Sequence, residues 1–196
     1  MDELPGVSYD GFASRRAKIR ATLVELSTPL FAGVTGRCLR NWAYRDKELS
    51  DRCEIEIAVF NHLDPEDAAV EAILRSHPNL IGISCYLWSI GKIRLIVSKI
   101  KERLPTVKIV LGGPEVMHEP GKILTENPGA DWVACAEEGE EVLRLLLRSH
   151  VLEKRDVSEV PGLAWRGCGG GHPRQSIAAV HRHGSGPACL RRPRAR

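Results

Sequence analysis

The sequence predicts an α/β protein whose core is a doubly wound sheet of five parallel strands, followed by a loose basic C-terminal tail. Three observations carry this expectation. Short β-rich runs recur along residues 18–166, and stretches of helical periodicity separate them. Strands alternating with helices imply right-handed βαβ crossovers and a sheet covered on both faces. At 196 residues the chain also has the size of one domain, with or without a tail.

The elements follow in order. Residues 21–26 form the first β-rich run. Residues 54–60 form the second, with Ile55 and Ile57 at alternate positions before an apolar end. Asp64, Pro65, Glu66 and Asp67 then offer an N-cap, a proline at the first helical position and acid in the first turn. Val70, Ile73 and Leu74 continue at helical spacing. Residues 80–84 are the third strand. Ser89 is placed to cap a helix carrying Ile90, Ile93, Val97, Ile100 and Leu104 on one face. Residues 107–111 and 131–135 are strands four and five, and residues 138–147 read as a helix with an acidic start.

Composition narrows the class. The chain is 43% hydrophobic and 27% charged, as soluble globular proteins are. Its longest nearly apolar stretch, residues 80–91, falls short of the roughly 20 residues that span a bilayer. The start, Met1-Asp2-Glu3, lacks the basic and apolar regions of a signal peptide. A cytoplasmic protein without a membrane partner is therefore expected. The net charge of +3 is uneven: residues 167–196 hold six Arg and no acid, which leaves −3 on the preceding body. The expected division is an N-terminal extension over 1–17, one domain over 18–166 and a low-complexity tail over 167–196. The tail is too poor in large apolar groups to order itself. Its composition suits a frameshifted reading of a GC-rich gene better than a segment that binds nucleic acid. The cysteines, at 38, 53, 85, 135, 168 and 189, form neither C-x-x-C nor C-x-x-x-C-x-x-C. A local zinc knuckle, a thioredoxin motif and a local iron–sulfur loop are thus not expected on this chain.

In doubly wound sheets ligands bind beyond the carboxyl ends of the strands, so the loops there are informative. After the first strand, residues 27–35 are rich in hydroxyls and small residues, and Gly33 stands near a helix start. Such a loop can cradle phosphate on backbone amides, or can be an ordinary connection. It has neither G-x-G-x-x-G nor a P-loop lysine. His62 follows the second strand without a partner at metal-ligand spacing and reads as a loop histidine. Ser84, Cys85, Tyr86, Leu87, Trp88 and Ser89 follow the third, where aromatic faces suit a flat conjugated ligand or pack beneath the next helix. Gly112, Gly113, Pro114 and Glu115 follow the fourth, and Glu137 to Glu141, with Gly139 among them, follow the fifth. Paired glycines allow unusual backbone angles and close approach of a ligand, or simply a tight turn.

Taken together, residues 24–35, 81–88, 110–115 and 138–141 resemble the N-terminal cobalamin (B12)-binding domain of B12-dependent radical S-adenosylmethionine (SAM) enzymes. Residues 160–166 resemble the strand that leads out of that domain. The resemblance implies a Rossmann- or flavodoxin-like B12-binding fold and a cofactor-binding set of Ser27, Thr28, Leu30, Thr35, Ser84, Tyr86, Trp88, Gly112, Gly113, Pro114, Glu138 and Gly139. Cobalamin-binding folds in general place D-x-H-x-x-G after the first strand, and its histidine binds cobalt. Here that stretch has no histidine, as in the radical subclass, so no protein metal ligand is implied. Ser84, Gly112 and Gly113 match the general serine and glycine positions, which face the nucleotide tail of cobalamin. Tyr86 stands where leucine is usual, and Glu137 where glycine is usual. Trp88 is expected near the lower face of the corrin, with Tyr86 or Leu30 as substitutes.

The resemblance further implies a binding module that holds base-off, His-off cobalamin for a radical SAM domain that this sequence does not contain, with no catalytic residue of its own. No iron–sulfur cluster is expected on the chain, because its cysteine motif is absent. The alternative is a flavin-binding, flavodoxin-like module in which Tyr86 and Trp88 flank an isoalloxazine ring. A second rival is an α/β enzyme using His62 or Cys85, although neither has a visible base–orienter pair and G-x-S-x-G is absent.

Overall fold

The computed structural model describes residues 18–28, 33–152, 156–166 and 173–175. In chain order the elements are β1 (Ile19–Ser27), α1 (Thr35–Ala43), α2 (Lys47–Arg52), β2 (Cys53–Asn61), α3 (Glu66–Arg75), β3 (Leu80–Ser84), α4 (Ile90–Arg103), β4 (Lys108–Gly112), α5 (Pro120–Glu126), β5 (Trp132–Ala134) and α6 (Gly139–Leu152). A 3₁₀ turn (Val157–Glu159), β6 (Leu163–Arg166) and β7 (Pro173–Gln175) complete them. The sheet order is β2-β1-β3-β4-β5-β6-β7. The first five strands pair in parallel. β6 and β7 extend the edge antiparallel.

Each strand is sorted by its period of two. Val24, Leu26, Ile81, Ile83, Ile109 and Leu111 face one layer, where they pack with Ile73, Ile93, Val97 and Ile100 of α3 and α4. Ala21, Leu23, Leu80 and Val110 face the other layer, with Leu146 and Leu147 of α6 and Leu49 of α2. Both faces are therefore covered, as an all-parallel core requires. In α4, Ile93, Ile96, Val97 and Ile100 are all buried, at the 3–4 spacing of one helix face.

Two charged clusters tie the layers. Asp131, just before β5, accepts from the Lys101 ammonium at 2.8 Å, the Lys108 ammonium at 3.0 Å and the Ile109 amide at 2.9 Å. On the other face Asp46 caps α2 through the Glu48 and Leu49 amides and takes Arg144 at 3.2 Å, together with Arg148. Burial works against the Asp46 carboxylate. The Arg148 guanidinium and the two amides outweigh it and hold the pKa below its ordinary value.

Several expectations need correction. The five parallel strands form as read, but the sheet has seven strands, because β6 and β7 add antiparallel pairs. β7 falls within the stretch read as a tail. The rest of residues 167–196, the whole of 1–17 and Leu30 lie outside the described residues. Asp64 does not cap α3: Pro65 takes the N-cap position without a side-chain bond. The Asp64 carbonyl instead accepts the Lys92 ammonium at 2.6 Å. Ser89 occupies the N-cap of α4, but its hydroxyl is used within the preceding loop, at 3.1 Å from both the amide and the carbonyl of Tyr86. Among the described residues no helix is long and apolar enough to cross a membrane.

Candidate functional site

A cleft of about 370 Å³ opens between the sheet and the pair α1 and α6. Its floor is two rows of residues in register across the three central strands. Leu23, Gly82 and Val110 form the lower row, and Ser84 and Gly112 the upper one. Leu39 of α1 and Val142, Leu143 and Leu146 of α6 form the opposite wall. Thr35, Tyr86, Gly113, Pro114, Glu137, Gly139 and Glu140 stand around the rest. The site lies at the carboxyl edge of the sheet because strand-to-helix connections of parallel units gather there.

Of the two readings of the loop after β1, the described residues favour the ordinary connection over the phosphate cradle. Glu25, only 4% exposed, turns its carboxylate into the start of α1 and accepts the Gly36 amide. A Cβ on Gly33 or Gly36 would lie 2.3 or 2.8 Å from a carboxylate oxygen of Glu25. These glycines therefore make room for an internal acid. The helix N-terminus that an external phosphate would use is already met by a negative group.

Ser84 is 7% exposed, lines the cleft, and its hydroxyl has no hydrogen-bond partner among the described residues. The Tyr86 phenol lies 3.0 Å from the Thr35 hydroxyl. The Tyr86 ring stacks on Trp88 with centroids 4.8 Å apart and planes within 3°. The Trp88 indole N–H donates to the Leu26 carbonyl at 3.4 Å, and Trp88 remains 49% exposed. Tyr86 thus forms part of the cleft, whereas Trp88 backs it from the solvent side at the same sheet edge.

The paired glycines differ. Gly113 has φ +104°, and a Cβ there would lie 2.6 Å from the Cys85 carbonyl, so the turn itself requires glycine. Gly112 has ordinary backbone, and its Cβ would touch only the Cβ of Ala134, at 3.6 Å. Space beyond Gly112 belongs to the cleft. A Cβ on Gly139 meets nothing within 4 Å.

Other candidate residues stand outside the cleft. The Ser27 hydroxyl donates to the Phe60 carbonyl at 3.4 Å. The Thr28 hydroxyl is buried without a partner, next to residues that are not described. The Glu138 carbonyl accepts the amides of Glu141 and Val142, which starts α6. His62 is a loop histidine, its amide 2.9 Å and its Nδ1 3.2 Å from the Ser27 carbonyl. The Cys85 thiol is wholly buried, which pushes its pKa up to about 12 and leaves no thiolate for a nucleophilic role. Sequence reasoning missed Leu23, Leu39, Gly82, Val110 and the α6 leucines. Only Gly82 carried a signal, as a glycine inside a strand.

These features define a doubly wound α/β ligand-binding domain whose cleft runs between the sheet and its last helix. Residues 49–147 match the family model of the B12 binding domain. The chain belongs to this family and is a cobalamin-binding domain with a Rossmann-like fold. It is 31% identical over 138 residues to the cobalamin-dependent radical SAM methyltransferase TokK of Streptomyces tokunonensis, covering 70% of this chain and 19% of that protein. It is 30% identical over 138 residues to 2-(S-pantetheinyl)-carbapenam-3-carboxylate methyltransferase of Streptantibioticus cattleyicolor, with the same coverage of 70% and 19%. The chain therefore spans about a fifth of the length of these relatives. Among solved structures, the cobalamin-dependent SAM radical enzyme OxsB with aqua-cobalamin and S-adenosylmethionine superposes with a TM-score of 0.70 at 17% identity, covering 84% of this chain and 23% of OxsB. TsrM from Kitasatospora setae with cobalamin and a [4Fe-4S] cluster superposes with a TM-score of 0.63 at 19% identity, covering 86% of this chain and 30% of TsrM.

Proposed function

We propose that this chain holds cobalamin base-off and His-off, with the nucleotide tail in the cleft, and presents the corrin to a radical SAM domain outside these residues. The observation that carries this reading is the cleft itself: an apolar slot at the ligand edge, with the Ser84 hydroxyl, unpaired among the described residues, in its lining and open space over Gly112. The residues fit the group. A corrin ring, broad and fringed with amides, is too large and too polar for about 370 Å³ of mostly apolar space. The benzimidazole of the tail is flat, apolar and small enough, and its ring nitrogens can meet the Ser84 hydroxyl.

Bound cobalamin would supply a cobalt centre able to carry a methyl group or an electron, chemistry that is the cofactor's own. The protein's part is to bind the tail, orient the corrin over the sheet edge and exclude water beneath it. No histidine is among the cleft residues, and residues 27–35, where the general cobalt-binding histidine falls, contain none. Trp88, with Tyr86 stacked on it, is our candidate for the lower cobalt face. The flavin alternative is disfavoured by that same stack, which leaves no gap between the two rings for an isoalloxazine, and by Glu25 at the start of α1.

Reconstitution of the chain with hydroxocobalamin tests the reading. A bound corrin spectrum, with reduced cob(II)alamin whose electron paramagnetic resonance lacks nitrogen superhyperfine splitting, is expected. A nitrogen splitting lost in His62→Ala, or preferential retention of flavin mononucleotide, would overturn it.

A further inference from the structure

The floor of the slot contains a gap that the fold does not need. In the lower row, Gly82 lies between Leu23 and Val110 on adjacent strands, at the centre of the sheet. Central parallel strands favour large β-branched residues, and a glycine there forfeits packing and backbone entropy. Unlike Gly113, Gly82 has no positive φ to explain it. Nor, among the described residues, does any neighbouring strand's backbone lie within 4 Å of where its side chain would stand. A Cβ on Gly82 would meet two side-chain tips, the Leu23 Cδ2 at 2.9 Å, which would have to shift, and the Val110 Cγ1 at 3.7 Å. The missing side chain leaves a hollow in the floor below Ser84, which is buried with its hydroxyl unpaired among the described residues. The hollow and the hydroxyl lie on the same face of β3, two residues apart.

We propose that Gly82 is a specificity-determining residue that sets the depth of the slot and so selects the lower base of the cobamide by size. This rests on the reading that the tail enters the cleft. The floor at Gly82 would meet the end of the flat base farthest from the corrin, where 5,6-dimethylbenzimidazole carries its two methyl groups. A methyl on residue 82 raises the floor by about 1.5 Å. A planar group held between sheet and helix cannot yield that distance without losing contact on one face, since dispersion contacts need about 3.5–4.0 Å.

The test is a size exchange between protein and ligand, read as dissociation constants by the corrin absorbance of the 196-residue chain. The probes are cobalamin, the cobamide with unsubstituted benzimidazole, and cobinamide, which has no base. For the native chain, cobalamin is expected to bind much more tightly than cobinamide. Gly82→Ala should weaken cobalamin by about tenfold, leave cobinamide within about twofold, and restore binding to the unsubstituted cobamide. Gly82→Val should weaken both complete cobamides. Should Gly82→Ala fail to fold, the double variant Gly82→Ala/Leu23→Val returns the room that the methyl claims at the Leu23 tip, and the same ratios are read on it. Equal loss for the two cobamides, or no loss for either, would overturn the size selection alone. Equal native affinity for cobalamin and cobinamide would remove the tail from the slot while leaving corrin binding intact. Binding of none of the three would end the cobalamin reading itself.

Discussion

The Tyr86 phenol and the Thr35 hydroxyl, 51 residues apart in sequence, lie 3.0 Å apart beside the cleft. This pair joins the loop after β3 to the first turn of α1, two segments that no backbone ladder connects. Tyr86→Phe and Thr35→Val should each cost about 0.5–1.5 kcal/mol, and the double variant no more than the larger single loss. Urea unfolding of the four proteins measures the coupling, and additive losses would show that the bond contributes nothing.

The paired glycines should separate folding from binding. Gly113→Ala forces a side chain into a positive-φ position against the Cys85 carbonyl, so a loss of about 1–3 kcal/mol of stability is expected. Gly112→Val adds bulk only toward the cleft. It should leave the melting temperature near that of the native chain and weaken cobalamin at least tenfold, about 1.4 kcal/mol. A folded Gly112→Val chain with native affinity would remove the tail from this part of the slot.

If Trp88 lies below the corrin as proposed, Trp88→Ala should alter the absorption spectrum of bound cobalamin by admitting water there, with the proposed tail contacts at Ser84 and Gly112 preserved. An unchanged spectrum would reduce Trp88 to a support for the Tyr86 ring.

Acid stability should depend on Asp131. Burial opposes its charged form, but Lys101, the Ile109 amide and Lys108 prevail and lower its pKa from 3.8. A carboxylate with a folded pKa below the unfolded one contributes stability that is complete above about 3.8 and is lost as pH falls through the lower folded value. Asp131→Asn should therefore cost about 1.5–3 kcal/mol at pH 7 and flatten the decline below pH 4, as read by urea unfolding across that range. An undiminished acid decline in the variant would assign it to other carboxylates.

Arg166, at the end of β6, gathers the carbonyls of Leu124, Asn127, Pro128 and Ala130 around the end of α5. Arg166→Ala should lower stability by about 1.5–3 kcal/mol, because partly buried carbonyls lose a charged donor. Cobalamin affinity should not change, since these groups lie away from the cleft. A selective loss of binding would contradict that separation.

What the sequence by itself determined is local and periodic. The five parallel strands were legible because period-two and continuous apolar runs are written into consecutive residues, and α4 because its isoleucines repeat at helical spacing. The resemblance drawn from Ser84, Gly112, Gly113 and Gly139 was legible because those residues sit at strand ends, where topology alone places ligands. Helices α1, α2 and α5 were not delineated. α1 has few apolar residues, α2 depends on the Asp46 cap, and α5 is a short helix fastened at its end by Arg166 from 36 to 42 residues away in sequence. Only the tertiary structure decided what fills each space. It put the Glu25 carboxylate where a phosphate was one of two readings, stacked Trp88 on Tyr86 instead of leaving the rings apart, and divided Gly112 from Gly113 by backbone angle. It also set Leu23, Gly82 and Val110 side by side, and with them the depth of the slot. Those outcomes depend on which strands are neighbours and in what register, and register comes from burying whole faces together, not from any one segment.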